Sequence, residues 1–301
     1  MQTDARAKPA RPEVGTVNGA SASTGAGSRG SRILGRGAFR STAIAAVSTI
    51  VFFGVLVALV VTAPGWPEVR EQFFDGEIFT ESFPEIAPRI LTNVRMFLIA
   101  EVFILVFGLV IAVLRSVPGP VFFPVRLLAA AYTDFFRGIP TILLIYLLGF
   151  GAPALAISGV PRSEFFWGIV ALVLVYSAYV SEVYRAGIDS VHPSQEAAAR
   201  SLGLTRAQGM RYVVVPQAVR RVIPPLLNDF IGLQKDTALV ALIGPVEAFR
   251  QSQIEVARSF DYTPYFATAI LFVALTIPLA RLTDWLIARE RRQRLAAGGV
   301  A

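Results

Sequence analysis

Residues 193–216 read P-S-Q-E-A-A-A-R-S-L-G-L-T-R-A-Q-G-M-R-Y-V-V-V-P, and this polar stretch is flanked on both sides by apolar sequence. Ser194 can cap a first helix, rich in alanine, that extends through Leu202. Gly203 suits the left-handed conformation in which helices commonly end. The first half of the stretch is therefore predicted to be a short helix followed by a tight glycine turn.

The second half of the same stretch predicts another short helix. Thr205, with Gln208 three residues later, fits a capping box. The helix would carry Met210 before Pro216 stops it. The whole stretch is thus predicted to be two short helices at an angle, joined by a glycine turn.

The composition around this stretch is that of a membrane protein. Of 301 residues, 54% are hydrophobic and 16% are charged, the mean hydropathy is +0.58, and a typical soluble domain carries about 25% charged residues. Cysteine is absent and His192 is the only histidine, which excludes disulfides, thiolate nucleophiles and clustered zinc ligands. The only lysines, Lys8 and Lys235, do not follow glycine, so the phosphate-binding loop of an ATPase is absent. Any ATP hydrolysis would need another chain.

Six apolar runs predict helices that cross the hydrocarbon core of a bilayer. They cover residues 43–63, 91–114, 125–150, 165–184, 222–243 and 265–287. Residues 1–42 are rich in Ala, Gly, Ser, Pro and Arg and are predicted to be a disordered arm. Residues 64–90 are predicted to be an acidic loop and residues 289–301 a basic tail, so the main transmembrane domain covers residues 91–288.

The arginines predict the orientation of this all-α, multi-pass topology. They concentrate before the first span, between the second and third spans, between the fourth and fifth spans, and after the sixth. Five lie on the other side: Arg70, Arg89, Arg162, Arg250 and Arg258. The positive-inside rule then places both termini and the loop of residues 185–221 in the cytoplasm, and residues 64–90 outside. The formal net charge of +7 is explained by this asymmetry, without nucleic acid as a partner.

The predicted helix pair within residues 185–221 is open to three interpretations. It can be a docking element for a cytoplasmic protein, a plain surface hairpin, or a DNA-binding helix-turn-helix, which has an alanine and a glycine at similar places. The segment is held close to the bilayer at both ends, so a DNA groove could hardly reach it.

The residues of this loop resemble the EAA loop of the permease subunits of ATP-binding-cassette importers. That signature is E-A-A, three residues, glycine, nine residues and then I-x-L-P. Residues 197–199 stand in the E-A-A frame, Gly203 is the glycine, and residues 213–216 hold the last frame. The glutamate position of the frame is Ala197, and the nearest glutamate is Glu196, one residue early. The coupling residues that the resemblance implies are Glu196, Ala197, Ala198, Ala199, Gly203, Leu204 and Pro216.

Flanking motifs resemble the polar amino acid branch of these permeases, whose substrates include His, Glu, Gln, Arg and opines. Residues 136–140 (F-R-G-I-P) resemble its F-R-G-T-P, and residues 182–188 (E-V-Y-R-A-G-I) its E-x-x-R-x-G-I. Residues 235–239 (K-D-T-A-L) resemble its K-D-T-S-L. The resemblance covers about residues 91–292, so the arm and the first span are additions to the family's usual five-helix core.

The resemblance implies a division of labour among chains. Permeases of this family work as dimers of like or unlike subunits, with two ATPase subunits below and an extracytoplasmic binding protein above. ATP and Mg²⁺ are held by the ATPase subunits, and no cofactor is expected on this chain. The EAA loop sits in a groove of the ATPase, whose closure rocks the membrane helices from inward-facing to outward-facing, a switch between discrete packings.

Ionisable residues within spans are costly and usually face protein or water. Those in the predicted spans are Glu101, Asp134, Arg137, Glu182, Asp229, Lys235 and Asp236. Candidates for the translocation path are Arg137, Glu182, Asn228, Gln234, Lys235, Asp236 and Thr237. The alternative for many of them is mutual pairing or packing: Asp134 and Arg137 can pair at i and i+3, whereas the adjacent Lys235 and Asp236 need other partners.

Two other classes of function remain as alternatives. A secondary transporter driven by an ion gradient would show an internal repeat of spans, and the sequence shows none. A membrane-embedded enzyme would need a constellation of His, Cys or carboxylates at one depth. His192 precedes Pro193 in the loop and is predicted to be a solvated surface residue, and Arg289 to Arg294 are predicted to anchor the last helix at anionic headgroups.

Overall fold

The computed structural model describes the backbone of residues 30–298 and the side chains of residues 41–289 and of Arg292. Its α-helices are α1 Gly30–Val61, α2 Trp66–Phe73, α3 Gly76–Ile86, α4 Ile90–Ser116, α5 Phe123–Gly138, α6 Thr141–Ala154, α7 Glu164–Asp189, α8 Pro193–Ser201, α9 Arg206–Gly209, α10 Val215–Asp236, α11 Ala248–Ser259 and α12 Thr263–Gly298. The chain divides into two compact units, one up to Trp66 and one from Pro67 onward, and each is described by itself.

The first unit contains α1, which begins earlier than predicted. Residues 1–29 of the predicted disordered arm lie outside the described residues. The prediction of disorder is wrong for residues 30–42, because they form the first turns of α1. The glycines of this segment, Gly30, Gly35 and Gly37, do not favour a helix, so the segment is helical as a continuation of the apolar helix that follows it. Ser48 and Thr49 donate hydrogen bonds to the carbonyl of Ala45, so their hydroxyls are satisfied within the helix.

The second unit is built around α7. This helix packs against α4, α5, α6 and α10, and its inner face supplies many of the buried residues of the main apolar cluster. The other members come from α4, α6, α10 and the 3₁₀ turn Thr237–Ile243. At Gly187, an added Cβ would lie 2.1 Å from Cγ1 of Val222, so the close approach of α7 and α10 requires glycine there.

Four helical stretches in the described part of the chain are long and apolar enough to cross a membrane: Ser41–Val61, Trp66–Ser116, Glu164–Asp189 and Thr263–Arg289. A bent pair, α5 with α6, raises this number to five if it counts as one span. The predicted fifth span coincides with α10 and the following 3₁₀ turn. Because α10 carries Arg220, Arg221, Asp229, Lys235 and Asp236, it fails this test, and the six-span topology stays a prediction.

The predicted third span is two helices rather than one. α5 and α6 meet at 102° around Gly138 and Pro140, the residues that interrupt the apolar run. Ile139, which precedes the proline, is extended at φ −84° and ψ 134°. Contact with the proline ring disfavours helical geometry in the preceding residue, which accounts for the break.

The acidic segment of residues 64–90 differs from the predicted loop, because most of it forms the helices α2 and α3. Asp75 begins α3, since its Oδ1 accepts hydrogen bonds from the backbone N–H of Glu77 (2.8 Å) and Ile78 (3.0 Å). The inner face of α3 packs Ile86 against Ala248 of α11 and against α12. The charges lie on the outer face, so a helical period was hidden among them.

The predicted basic tail is the end of α12, which remains helical through Gly298, and residues 299–301 lie outside the described residues. The guanidinium of Arg289 lies 5.3 Å from the ring centroid of Trp285. Most other side chains of the predicted headgroup anchor also lie outside the described residues.

Candidate functional site

The first helix of the loop, α8, begins two residues earlier than predicted. Its cap is His192, whose Nδ1 accepts from the backbone N–H of Ser194 at 3.2 Å, so the prediction of Ser194 as the cap is wrong. Pro193 explains the difference, because proline fits the first position of a helix, where its missing N–H costs nothing. His192 is exposed to solvent, as predicted.

The predicted glycine turn is confirmed. Gly203 has φ +80° and donates its N–H to the carbonyl of Arg200 at 2.9 Å. Leu204 donates to the carbonyl of Ala199 at 3.1 Å. These two bonds form the Schellman pattern that closes a helix through a left-handed residue. α8 ends at Ser201, and Leu202 is its C-cap.

The predicted capping box is also present. Oγ1 of Thr205 accepts from the N–H of Gln208 at 3.3 Å, and Oε1 of Gln208 accepts from the N–H of Thr205 at 2.9 Å. The stop predicted at Pro216 is wrong: α9 continues through a π-helical turn, Met210–Val214, into α10. The wider π-helical turn accommodates Pro216, which has no N–H to donate, without ending the helix.

The loop is attached to the rest of the second unit by a small apolar cluster. Val191, Val214 and Ala218 are buried in it, with Ile188 and Met210 packed against them. The two short helices also touch directly, since a Cβ at Gly209 would lie 3.5 Å from Cβ of Ala199. This packing makes α8, the turn and α9 one body that continues into α10.

Several coupling residues predicted from the EAA resemblance are on the outer surface of this body. Ala197, Ala198, Gly203 and Pro216 are exposed, Glu196 and Leu204 are partly exposed, and Ala199 is buried. The neighbouring Leu202 and Tyr212 are 82% and 64% exposed. The loop therefore presents apolar side chains to its surroundings.

Glu196 forms ion pairs within the loop. Its Oε1 lies 2.5 Å from Nη2 of Arg200 and 4.0 Å from Nε of Arg206, so the carboxylate links the two sides of the glycine turn. The hydrogen bond and charge of Arg200 hold the pKa of Glu196 below its usual range.

Two of the predicted path residues belong to a buried polar network. Thr237 Oγ1 donates to the carbonyl of Gln234 at 2.7 Å and accepts from Nδ2 of Asn93 at 3.2 Å. Gln234 Oε1 accepts from the hydroxyl of Thr276 at 2.8 Å, and Asn93 Nδ2 also donates to Oε2 of Glu247 at 2.7 Å. We call Asn93, Gln234, Thr237, Glu247 and Thr276 the buried polar network. It joins α4, α10, the 3₁₀ turn, the start of α11, and α12.

Glu247 is fully buried at the edge of this network and caps α11. Its carboxylate accepts from the backbone N–H of Phe249 (2.9 Å) and Arg250 (2.7 Å), besides Asn93. Burial raises the pKa of Glu247, and these three hydrogen bonds oppose the rise because they favour the charged form.

The sequence predictions missed Asn93, Glu247 and Thr276. None of them stands in a local motif that would reveal it. Glu247 has local partners as the cap of α11, but the side-chain contacts that build the network join residues more than 40 positions apart, so only the assembled fold brings them together.

The remaining path candidates on α10 lie apart from the network. Asn228 and Lys235 are exposed, and Asp236 accepts from the hydroxyl of Tyr176 on α7 at 2.9 Å. The expectation that Asp236 needs a partner beyond Lys235 is thus confirmed. α10 therefore carries buried and exposed polar residues along one stretch.

Arg137 and Glu182, the two candidates outside α10, bind each other. Nη1 of Arg137 lies 3.8 Å from Oε1 of Glu182, so the predicted pairing of Arg137 with Asp134 is wrong. α5 packs against α7, which places the guanidinium of Arg137 beside Glu182. Glu182 is further bound by Arg115 and by Arg185.

The arrangement of this loop and these helices has known counterparts. A model of the family described as "Binding-protein-dependent transport system inner membrane component" matches residues 104–292. The chain belongs to this family.

The matches to individual relatives extend over most of each relative's length. "Probable amino-acid permease protein YxeN" of Bacillus subtilis (strain 168) is 33% identical over 211 residues, which are 70% of this chain and 93% of the relative. "Probable glutamine ABC transporter permease protein GlnM" of the same organism is 36% identical over 176 residues, 58% of this chain and 79% of the relative.

A solved structure agrees with this assignment. The crystal structure of an amino acid ABC transporter with histidines matches with a TM-score of 0.63 and 32% identity, over 70% of this chain and 95% of that chain.

Family membership makes the chain a membrane-embedded transport component and not an enzyme. It is a permease of the ATP-driven importer type rather than a secondary transporter. Permeases of this type act with an ATPase, which uses the ATP, and with a binding protein.

Proposed function

We propose that this permease imports a polar amino acid by alternating access, with residues 193–216 as the element that receives the movement of the ATPase. The observation that carries the proposal is the exposed helix–turn–helix of α8, Gly203 and α9, which is joined without a break to α10. The names of the relatives, which refer to amino acids and glutamine, support the substrate class.

The shape of the loop supports its role as a coupling element. α8 and α9 are closed by hydrogen bonds on both sides of Gly203, and their cluster around Val214 is buried, so a push on the exposed side moves the loop as a body. The exposed Leu202 and Tyr212 supply apolar surface that a groove in the ATPase can cover. The π-helical turn and α10 then carry the movement into the membrane.

The polar residues of α10 and the following turn are proposed to border the translocation path. An amino acid carries an ammonium and a carboxylate, so it needs both charged and hydrogen-bonding partners within the bilayer. Lys235 and Asp236 offer opposite charges, and Asn228, Gln234 and Thr237 offer neutral polar groups. Gln234 Nε2 is buried and has no hydrogen-bond partner within the described part of the chain, so it is available to donate to a substrate when the helices around it separate during the cycle.

We propose an assembly of two ATPase subunits, two permease subunits and one extracytoplasmic binding protein in the cytoplasmic membrane. Both termini and the coupling loop would face the cytoplasm, as the arginine distribution predicts. ATP and Mg²⁺ would bind to the ATPase subunits only. The residues from 64 to 90, including the acidic helices α2 and α3, would lie outside.

Reconstitution tests the proposal. The permease is placed in proteoliposomes with its partner ATPase and its binding protein, and uptake of labelled polar amino acids is measured with ATP supplied on the side of the ATPase. Uptake that requires ATP, the ATPase and the binding protein is the expected result. Uptake driven by an ion gradient without the ATPase would contradict it, and a ligand screen on the binding protein would name the amino acid.

A further inference from the structure

One carboxylate in the second unit contacts guanidinium groups from three helices. Arg115, in the last turn of α4, hydrogen-bonds to Oε1 of Glu182. Nη2 of Arg185, on α7 itself, lies 2.7 Å from Oε2, and Nη1 of Arg137, in the last turn of α5, lies 3.8 Å from Oε1. We call Arg115, Arg137, Glu182 and Arg185 the Glu182 ion cluster.

The inner members of this cluster are largely withdrawn from water. The side chains of Arg115 and Glu182 are 17% and 18% exposed, whereas those of Arg137 and Arg185 are 43% and 39% exposed. Charges interact more strongly as the surroundings become less polar, and removal of one partner of a partly buried pair leaves the other charge uncompensated, so loss of Glu182 should disturb the contact of α4 with α7 more than loss of a surface ion pair would. Three positive groups share one negative group, and without it they would repel one another.

The cluster lies close to the coupling loop along the chain. Glu182 is on α7, which ends at Asp189, and α8 follows at Pro193. At 1.5 Å per residue, Glu182 lies about 10 Å from the end of α7. The outer member Arg185 also bonds to Asp189 at 2.8 Å, which ties the cluster to that end.

The cluster also borders the places where the fold can rearrange. Arg137 directly precedes the 102° bend between α5 and α6, and its guanidinium lies 5.7 Å from the ring centroid of Tyr179, one turn before Glu182 on α7. A cleft of about 380 Å³ between α7 and α10 is lined in part by Glu182 and Arg221. The carboxylate therefore has both several partners and adjacent space in which to exchange them.

We propose that Glu182 is a positioning residue of the transport cycle: it ties the ends of α4 and α5 to the end of α7, so that displacement of the coupling loop moves the three helices together. This inference rests on the proposed function, because it assigns a route for the movement that the loop receives. The route runs from α8 through the last turns of α7 to Glu182, and from there to Arg115 of α4 and Arg137 of α5.

The test separates this role from a contribution to folding. The measured quantity is the number of substrate molecules imported per ATP hydrolysed in response to the loaded binding protein by the reconstituted complex. Hydrolysis measured without the binding protein is subtracted, so ATPase subunits that are not assembled with folded permease do not enter the ratio. Glu182→Gln keeps the size of the side chain and removes its charge. The expected ratio is lower than that of the wild type by about tenfold, while ATP hydrolysis stimulated by the loaded binding protein continues.

Glu255→Gln is the matched control. Glu255 has a similarly buried side chain, 13% exposed, and pairs with Arg258 at i and i+3, but it lies on α11, away from the cluster. Its neutral variant should keep the wild-type ratio. A ratio lowered equally in both variants would overturn the proposal, because any loss of a partly buried carboxylate would then have the same effect.

Arg137→Gln gives a second test should Glu182→Gln fail to assemble. Arg137 is the most exposed member of the cluster, so its loss should leave the complex intact and lower the ratio several-fold. A wild-type ratio in Arg137→Gln would overturn the proposed link to α5. A wild-type ratio in Glu182→Gln would overturn the proposed role of the whole cluster. The double variant should be no worse than Glu182→Gln alone, since both changes act through one contact. Absence of ATP-dependent uptake by the wild type would overturn the proposed function itself, and this inference with it.

Discussion

The coupling loop and the buried polar network are held together by two different kinds of hydrogen bond, one between close neighbours in the chain and the other between distant residues. In the loop, donors and acceptors such as Thr205 and Gln208 are a few residues apart and face solvent. In the network, Asn93 binds Thr237 and Glu247, which are 144 and 154 positions away, and all three are buried. Shape in the loop is thus set by local turn chemistry, whereas the network depends on the assembled helices. Changes in the first should alter transport, and changes in Asn93 or Glu247, the network residues that are not proposed to border the translocation path, should alter stability.

Gly203→Val should produce the largest effect on transport. At φ +80° a β-branched side chain is strained by about 1–2 kcal/mol, and the turn would open to relieve it. No neighbouring atom lies within 4 Å of an added Cβ, so the cause is conformational and not a clash. Uptake by the reconstituted complex should fall by about tenfold while the ATPase continues to hydrolyse ATP.

Gly203→Asn is the control for this change, because asparagine tolerates the left-handed region better than valine does. It should keep most of the uptake. If Gly203→Val instead keeps both uptake and substrate-stimulated ATP hydrolysis at wild-type levels, the turn has no role as a lever and the contrast between the two regions fails.

Glu247→Ala should produce the largest effect on stability. It removes the cap that accepts from the partly buried N–H groups of Phe249 and Arg250, and it leaves buried Nδ2 of Asn93 with Thr237 as its one remaining acceptor. The expected loss is about 2–4 kcal/mol in the free energy of unfolding. Thermal unfolding of the detergent-solubilised protein measures it. A thermal midpoint equal to that of the wild type would show that the network contributes nothing to the packing of α4 against α11.

The contrast between the regions matches what the sequence can and cannot predict. Gly203 and the capping box of Thr205 were predictable because a left-handed turn and a helix cap each leave a local signature. The stop at Pro216 was predicted wrongly, because a proline reads as a break unless the wider π-helical turn is known. The partner of Arg137 was also predicted wrongly: Asp134 is near in sequence, but the packing of α5 against α7 places Glu182 3.8 Å away.

The transmembrane pattern shows the same limit. Apolar runs predicted helices that the structure contains, yet α2 and α3 were taken for loop because their charges hide a helical period. The network around Asn93 could not be predicted at all, since a lone asparagine in an apolar run has no partner until α10, α11 and α12 pack beside it.

Glu247 should also make stability depend on pH. Its pKa is raised in the folded protein above the usual value of 4.5, so the folded state binds the proton more tightly than the unfolded state does. The stabilisation from this group is therefore complete below pH 4.5 and is lost as the pH rises through the raised pKa. Glu247→Gln should remove that fall, which a series of thermal midpoints from about pH 4 to about pH 8 would detect. Parallel pH profiles of the variant and the wild type would contradict the assignment.

Glu196→Gln should have the smallest effect, and of the opposite sign in pH. Arg200 lowers the pKa of Glu196 in the folded protein, so its stabilisation is present above the unfolded value of 4.5 and is lost as the pH falls through the lowered pKa. The pair is partly exposed and screened by salt, so the thermal midpoint at neutral pH should drop less than in Glu247→Ala. The difference from the wild type should vanish in acid, where the protonated Glu196 of the wild type is as neutral as the glutamine of the variant. A large drop at neutral pH would mean that Glu196 holds the loop as firmly as Glu247 holds the network, and the distinction between a locally built loop and a globally built core would not stand.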